Sequence, residues 1–167
     1  MGDESAQLIA CIPRLRRYAR ALAGNRAAAE DLVQDTMERA WTKLGSWRGG
    51  DMRAWAFSIM HNLFVDGVRR HGLRAESLDE HTEAPLIHPT HTERLEILDM
   101  ESALDRLPAE QKEVLLLVAL EELSYEEVAA ALRIPVGTVM SRLSRAREKL
   151  RASMEGRATA APLKVVV

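Results

Sequence analysis

Apolar residues recur every three or four positions along most of the chain, a period that predicts helices rather than strands. In residues 14–23, Leu15, Tyr18, Ala19 and Leu22 fall on one face, and Pro13 suits the first turn of that helix. Pro13 also separates it from a short helical segment around residues 6–12. Asn25 is placed to cap the next helix, whose apolar stripe runs through Ala29, Leu32, Val33, Thr36, Met37, Ala40, Trp41 and Leu44. Gly45 can end that helix in a left-handed cap. A loop follows, in which Trp47 and Arg48 precede Gly49 and Gly50, and Asp51 can cap a third long helix. There Trp55, Ile59, Leu63, Val65 and Val68 point inward, and Trp41 and Trp55 are expected in the core.

From residue 74 to about 93 the period disappears among Pro85, Pro89, three histidines and five acidic residues. That stretch is long for a loop within a compact domain, so it predicts a linker. The expected organisation is a first domain over 1–73, a flexible linker over 74–94, a second domain over 95–155 and a disordered tail over 156–167. In the second domain Ile97, Leu98, Met100 and Leu104 mark one helix. Val114, Leu115, Leu117, Val118 and Leu120 mark the next, after Pro108. The fold class predicted is all-α, with two small helical domains.

Residues 124–151 carry a more specific pattern. Ser124 and Glu127 form a capping box ahead of Val128 and Leu132, and small residues between them permit close helix approach. Arg133, Ile134 and Pro135 make a turn, and Thr138 can cap a second helix buried along Val139, Leu143, Ala146 and Leu150. The pattern reads as a helix-turn-helix whose basic second helix fits a major groove, with a helical hairpin presenting a solvated basic face as the alternative that spacing alone leaves open.

Charge sharpens the picture. A net charge of -2 conceals a stretch over 1–74 with 12 basic and 8 acidic residues, and one over 75–100 with 1 basic and 7 acidic. Within 138–151 there are 5 basic residues and 1 acidic. Two cationic regions separated by acid suit phosphates on one side and a basic protein on the other. Apolar residues make up 47% and aromatics only 4%, so the core rests on aliphatic side chains. No apolar run is long enough to span a membrane. A lone Cys11 excludes an internal disulfide and a CxxC knuckle, and reads as a core thiol. Together these features predict a soluble protein of a reducing compartment.

Over about residues 8–152 the chain resembles bacterial RNA polymerase sigma factors of the extracytoplasmic-function (ECF) group of the sigma-70 family. The segment Ala29-Glu30-Asp31-Leu32-Val33-Gln34-Asp35-Thr36 resembles that family's core-polymerase-binding helix. Trp55 to Arg70 resembles its promoter-melting helix. Leu104 to Leu150 resembles its C-terminal helix-turn-helix domain, with Leu107-Pro108 and Val136-Gly137-Thr138-Val139 the most telling pieces. The resemblance implies a cytoplasmic initiation subunit without cofactor, metal or active site. It would bind core RNA polymerase through Asp31, Gln34, Asp35 and Glu38, and work under an anti-sigma factor. It implies that Trp47, Arg48, Arg53, Asn62, Arg69 and Arg70 serve the minus-ten element. On the same basis Thr138, Ser141, Arg142, Ser144, Arg145 and Arg147 serve the minus-thirty-five element. Met140 departs from the family pattern, in which many relatives carry Lys or Arg there.

Two other readings compete. A stand-alone helix-turn-helix regulator explains residues 124–151 but leaves the Asp31/Asp35 helix and the Trp47 loop without a role. A metal sensor built on His81, His88 and His91 has spacings of seven and three that fit no compact zinc motif. Those histidines read as solvated linker residues.

Overall fold

The structure, a computed structural model, describes residues 2–74 and 91–160, with side-chain surroundings for 2–70 and 96–156. The elements are α1 (Gly2–Ala10), α2 (Ile12–Ala23), α3 (Arg26–Lys43), a 3₁₀ turn (Leu44–Ser46), α4 (Met52–Arg74), α5 (His91–Asp105), α6 (Ala109–Ala119), α7 (Tyr125–Leu132) and α8 (Val136–Ala160). Among the described residues every regular element is helical.

Local chemistry accounts for most boundaries. The Asn25 side chain accepts from the backbone N–H of Ala27 and Ala28, starting α3. Gly24, at φ 66°, ends α2 in the left-handed conformation that its missing Cβ permits. Asp51 accepts from Arg53 N at 2.8 Å at the start of α4. The capping box of α7 closes as expected: Ser124 N donates to Glu127 Oε2 at 2.9 Å, and Glu127 N donates to Ser124 Oγ at 3.1 Å.

Three expected boundaries are corrected. Gly45 does not end α3 in a left-handed cap; the positive-φ glycines are Gly24, Gly49 and Gly50, and α3 tightens instead into a 3₁₀ turn. Thr138 does not cap α8. That helix begins at Val136, and the Pro135 carbonyl accepts from Thr138 N and Val139 N, so Pro135 already supplies the first bonds. The tail does not begin at Gly156, because α8 continues to Ala160; residues 161–167 lie outside those described. His81 and His88 also lie outside them, whereas His91 opens α5 within the span expected to be linker.

The two helical units share one apolar core, from Leu8, Leu15 and Phe57 in the first to Leu117, Val128 and Leu143 in the second. Tyr18 of α2 meets Phe57 of α4 edge to face, with ring centroids 5.0 Å apart. Helix α6 lies at the centre, with Lys112, Glu113, Val114, Leu115, Leu116 and Leu117 buried in succession. It packs against α2 of the first unit and against α7 and α8 of the second, while α7 lies along α4. The middle of α6 is covered on all sides, so the two charged residues buried there, Lys112 and Glu113, must find partners inside the protein.

Two inward assignments fail: Trp41 is 54% exposed, and Val68 is exposed as well. Ile97, Leu98 and Met100 of α5 are also exposed. Trp55 and Leu63 pack against the core partly buried, and Ile59 is buried. On α4 the inward face is set by Ala56, Phe57, Ile59 and Met60, so Val68 lies past the end of the covered stretch.

Candidate nucleic-acid and protein interfaces

Helix α3 buries Ala29, Val33, Thr36 and Ala40, a stripe at helical spacing that turns the opposite face to water. On that face Asp31, Gln34, Asp35 and Glu38 are all exposed. Glu30, at the edge, is neutralised by Arg16 at 3.2 Å and Arg20 at 3.3 Å from α2. Asp35 and Glu38 also border a groove of about 440 Å³ between α3 and α4, whose other side carries Asp66 and Arg70. Exposed Trp41 sits one and two turns beyond Glu38 and Gln34, on their side of the helix. The sequence pattern assigned it to the core, because a stripe of apolar letters cannot distinguish its last member from a surface aromatic.

The first unit's candidate DNA residues are placed unevenly. Arg48, Asn62, Arg69 and Arg70 are exposed. Trp47 is partly buried against the core, and its Nε1 has no hydrogen-bond partner. Arg53 is occupied within the protein. Its Nη2 lies 2.8 Å from Asp51 Oδ2, its Nε donates to both carboxylate oxygens at 3.3 Å, and Nη1 donates to the Glu121 carbonyl at 3.4 Å. The guanidinium holds the Asp51 carboxyl below its ordinary range, chiefly by that side-chain hydrogen bond.

On α8 the buried stripe of Val139, Leu143 and Ala146 leaves Met140, Ser141, Ser144 and Arg145 exposed as one contiguous patch. Arg147, Lys149 and Arg151 are exposed along the same helix. Arg142 points toward α6, partly buried and 3.7 Å from Glu110. Thr138 is also partly buried, and its carbonyl accepts from Ser141 Oγ at 3.2 Å.

Sequence reasoning missed the charged contacts between the two units. Glu121 is fully buried; its Oε1 accepts from Arg17 Nε at 3.2 Å and Nη2 at 3.0 Å. Its Oε2 has no hydrogen-bond partner and lies 3.9 Å from Arg14. Buried Glu113 of α6 stands 2.6 Å from His61 Nδ1 of α4. Lys112, also buried, donates to the Leu22 carbonyl at 3.2 Å, satisfying a free carbonyl at the end of α2, and to Asp105 at 3.0 Å. These residues read in sequence as ordinary surface charges. Their signal lay mainly in pairing across 52 to 104 positions, which one chain alone does not display.

Cys11 is buried and its thiol donates to the Gln7 carbonyl at 3.3 Å; burial pushes its pKa up, as for a packed rather than reactive thiol. Among the described residues no helix is long and apolar enough to cross a membrane, and no group of three or more His, Cys, Asp or Glu could hold a metal ion.

Residues 97–150 match the family Sigma-70, region 4, and residues 8–61 match the Sigma2 domain of PhyR. The ECF RNA polymerase sigma factor EcfG of Rhodopseudomonas palustris is 40% identical over 147 residues, covering 87% of this chain and 81% of that protein. The ECF RNA polymerase sigma factor SigE of Mycolicibacterium smegmatis is 40% identical over 145 residues, covering 83% of this chain and 56% of that longer protein. Among solved structures, the sigma factor RpoE of Bartonella quintana, in complex with the anti-sigma factor NepR, is 36% identical with a TM-score of 0.81. That match covers 93% of this chain and 98% of the other. CnrH, in complex with the cytosolic domain of CnrY, is 28% identical with a TM-score of 0.68, covering 92% of this chain and 88% of that one.

Proposed function

This chain belongs to the ECF RNA polymerase sigma factors, and on that premise we propose how its surfaces divide the work of starting transcription. The chain is a dissociable subunit that binds core RNA polymerase, directs it to promoters and helps to open the minus-ten element. Catalysis stays with the polymerase. The observation that carries this reading is the separation of an exposed acidic face on α3 from an exposed cationic face on α8. Asp31, Gln34, Asp35 and Glu38 grip a basic surface of the polymerase, with Trp41 as an aromatic anchor. Ser141, Ser144 and Arg145 meet base edges, and Thr138, Arg142 and Arg147 meet phosphates. Arg48, Arg69 and Arg70 hold the backbone near the minus-ten element, Arg53 joins them only when it leaves Asp51 and the Glu121 carbonyl, and Asn62 lines the pocket for a flipped base. The chain works in the cytoplasm, under an anti-sigma partner like those in the complexes of its relatives.

Reading both elements requires the two units to part. About 25 base pairs at roughly 3.4 Å each separate the elements by about 85 Å, whereas a folded chain of this length has a radius of gyration of about 15 Å. The stretch between Arg74 and His91 can reach roughly 55 Å when extended. The paired charges between the units therefore hold a closed form that promoter binding must undo.

Stoichiometric co-sedimentation with purified core polymerase tests the assignment. A folded chain that ignores the core and shifts promoter duplex alone would instead be a stand-alone regulator. Two residue-level results are expected. Trp47→Ala should lower permanganate reactivity of unpaired minus-ten thymines while leaving duplex engagement largely intact. The effect should match the roughly 1–3 kcal/mol of one base–aromatic stack, and equal loss of both would remove Trp47 from the site. Arg145→Ala should weaken discrimination at one upstream base pair by about 1–3 kcal/mol, measured by competition between matched and mismatched duplexes.

A further inference from the structure

The N-terminal half of α8 presents two large apolar side chains to solvent. Val136 is 37% exposed and Met140 53% exposed, four residues apart and therefore on the same side of the helix. Among the described residues neither is packed against the core, although Val139, Leu143 and Ala146 beside them are buried. Their surroundings decide what could cover them. Met140 adjoins Ser141, Ser144 and Arg145 in the exposed patch, and Arg147 and Arg151 line the same flank; residues 138–151 hold five cations and one acid, Glu148. An apolar spot enclosed by cations and hydroxyls suits a polyanion with apolar features more than an apolar protein helix. Duplex DNA has one such feature on its major-groove floor, the C5-methyl of thymine. Residues in the first turns of a recognition helix are those that reach that floor.

We propose that Val136 and Met140 form an apolar contact for a thymine methyl group in the upstream promoter element, making Met140 a determinant of sequence preference. The inference rests on the reading of α8 as the upstream-element helix and adds what it selects. A cation at position 140 would favour guanine acceptors or phosphate. A thioether side chain makes no such bond, and gains from the methyl only the removal of apolar surface from water. Ser141, Ser144 and Arg145 remain free to supply the polar part of the code.

Holoenzyme reconstituted from the full chain and bacterial core polymerase would first select upstream elements from randomised duplexes. Each thymine of the enriched element, on either strand, is then replaced by deoxyuridine, which lacks only the methyl. At one position the replacement should weaken binding about four-fold, the scale of one buried methyl group. Met140→Ala should make thymine and uracil equal there, and Met140→Leu should restore most of the difference. Circular dichroism and co-sedimentation with the core would establish that both variants are folded. Enrichment of an element without thymine, indifference of the unaltered chain to uracil at every position, or a full thymine preference in Met140→Ala would overturn the proposal while leaving the promoter-reading role intact. Failure to enrich any sequence would overturn that role and this inference together.

Discussion

Replacing Asp31 and Asp35 together with lysine should lower affinity for core polymerase by at least about 100-fold and abolish chain-dependent transcription. The two carboxylates are exposed, lie one helical turn apart and form no ion pair among the described residues. Within α3 the change should cost little, because the like-charge pair at 31/35 is kept with its sign reversed, and a lysine at 35 gains Glu38 but opposes Arg39, each worth about 0.2–0.5 kcal/mol. Circular dichroism of the double variant separates a loss of binding from a loss of folding. Against a basic partner surface, two attractive charges become two repulsive ones, and like-charge juxtaposition across an interface opposes binding by several kcal/mol. Titration with labelled core polymerase measures the change. Unaltered affinity would take the α3 face out of the interface.

Arg17→Ala should open the closed form, while Glu121→Leu should leave it nearly as stable as before. The asymmetry follows from burial: the Arg17 side chain is 51% exposed, whereas that of Glu121 is 0% exposed. Removing Glu121 returns the guanidinium to water, and leucine refills much of the space. Exchanging one buried pair for a well-packed apolar residue is often neutral. Removing Arg17 strands a carboxylate whose nearest remaining cation, Arg14, is 3.9 Å from Oε2. Breaking a buried pair on one side destabilises by about 3–5 kcal/mol, and Arg14 keeps the figure near the lower end. The simplest relief is for the units to part and let Glu121 meet water. Small-angle scattering should then show a radius of gyration clearly above the roughly 15 Å of a compact chain this size. An unchanged profile for Arg17→Ala, or opening caused equally by Glu121→Leu, would remove the ion pair as the latch.

How far the sequence disclosed all this can be traced through particular residues. Capping signals at Asn25, Asp51 and Ser124 were legible because they act within three residues, the range over which a one-letter pattern and a hydrogen bond coincide. The helix-turn-helix was legible for the same reason, and its buried stripe of Val139, Leu143 and Ala146 follows directly from the period. Gly45 misled because a glycine after a helix permits a left-handed cap without requiring one. Trp41 and Val68 misled because apolar type was equated with burial, whereas both stand exposed on their helices. The least legible residues were Lys112, Glu113 and Glu121, charged letters in a run of apolar ones. Their meaning lies in partners from the other unit, Leu22, His61 and Arg17. For the polymerase and promoter surfaces the position is reversed. The acidic row on α3 and the cationic patch on α8 are exposed, and family resemblance rather than periodicity supplied the roles proposed for them.

The central claim is that one chain couples the polymerase to a two-part promoter, and promoter-library run-off transcription tests it most directly. Purified core polymerase is supplied with the full chain, freed of any inhibitor, and transcripts are mapped to their templates. The account requires chain-dependent transcripts whose templates share two short motifs at a fixed separation, and their loss with the Asp31/Asp35 double lysine variant. Transcription no greater than that of the core alone, from a chain proven to be folded, would contradict it.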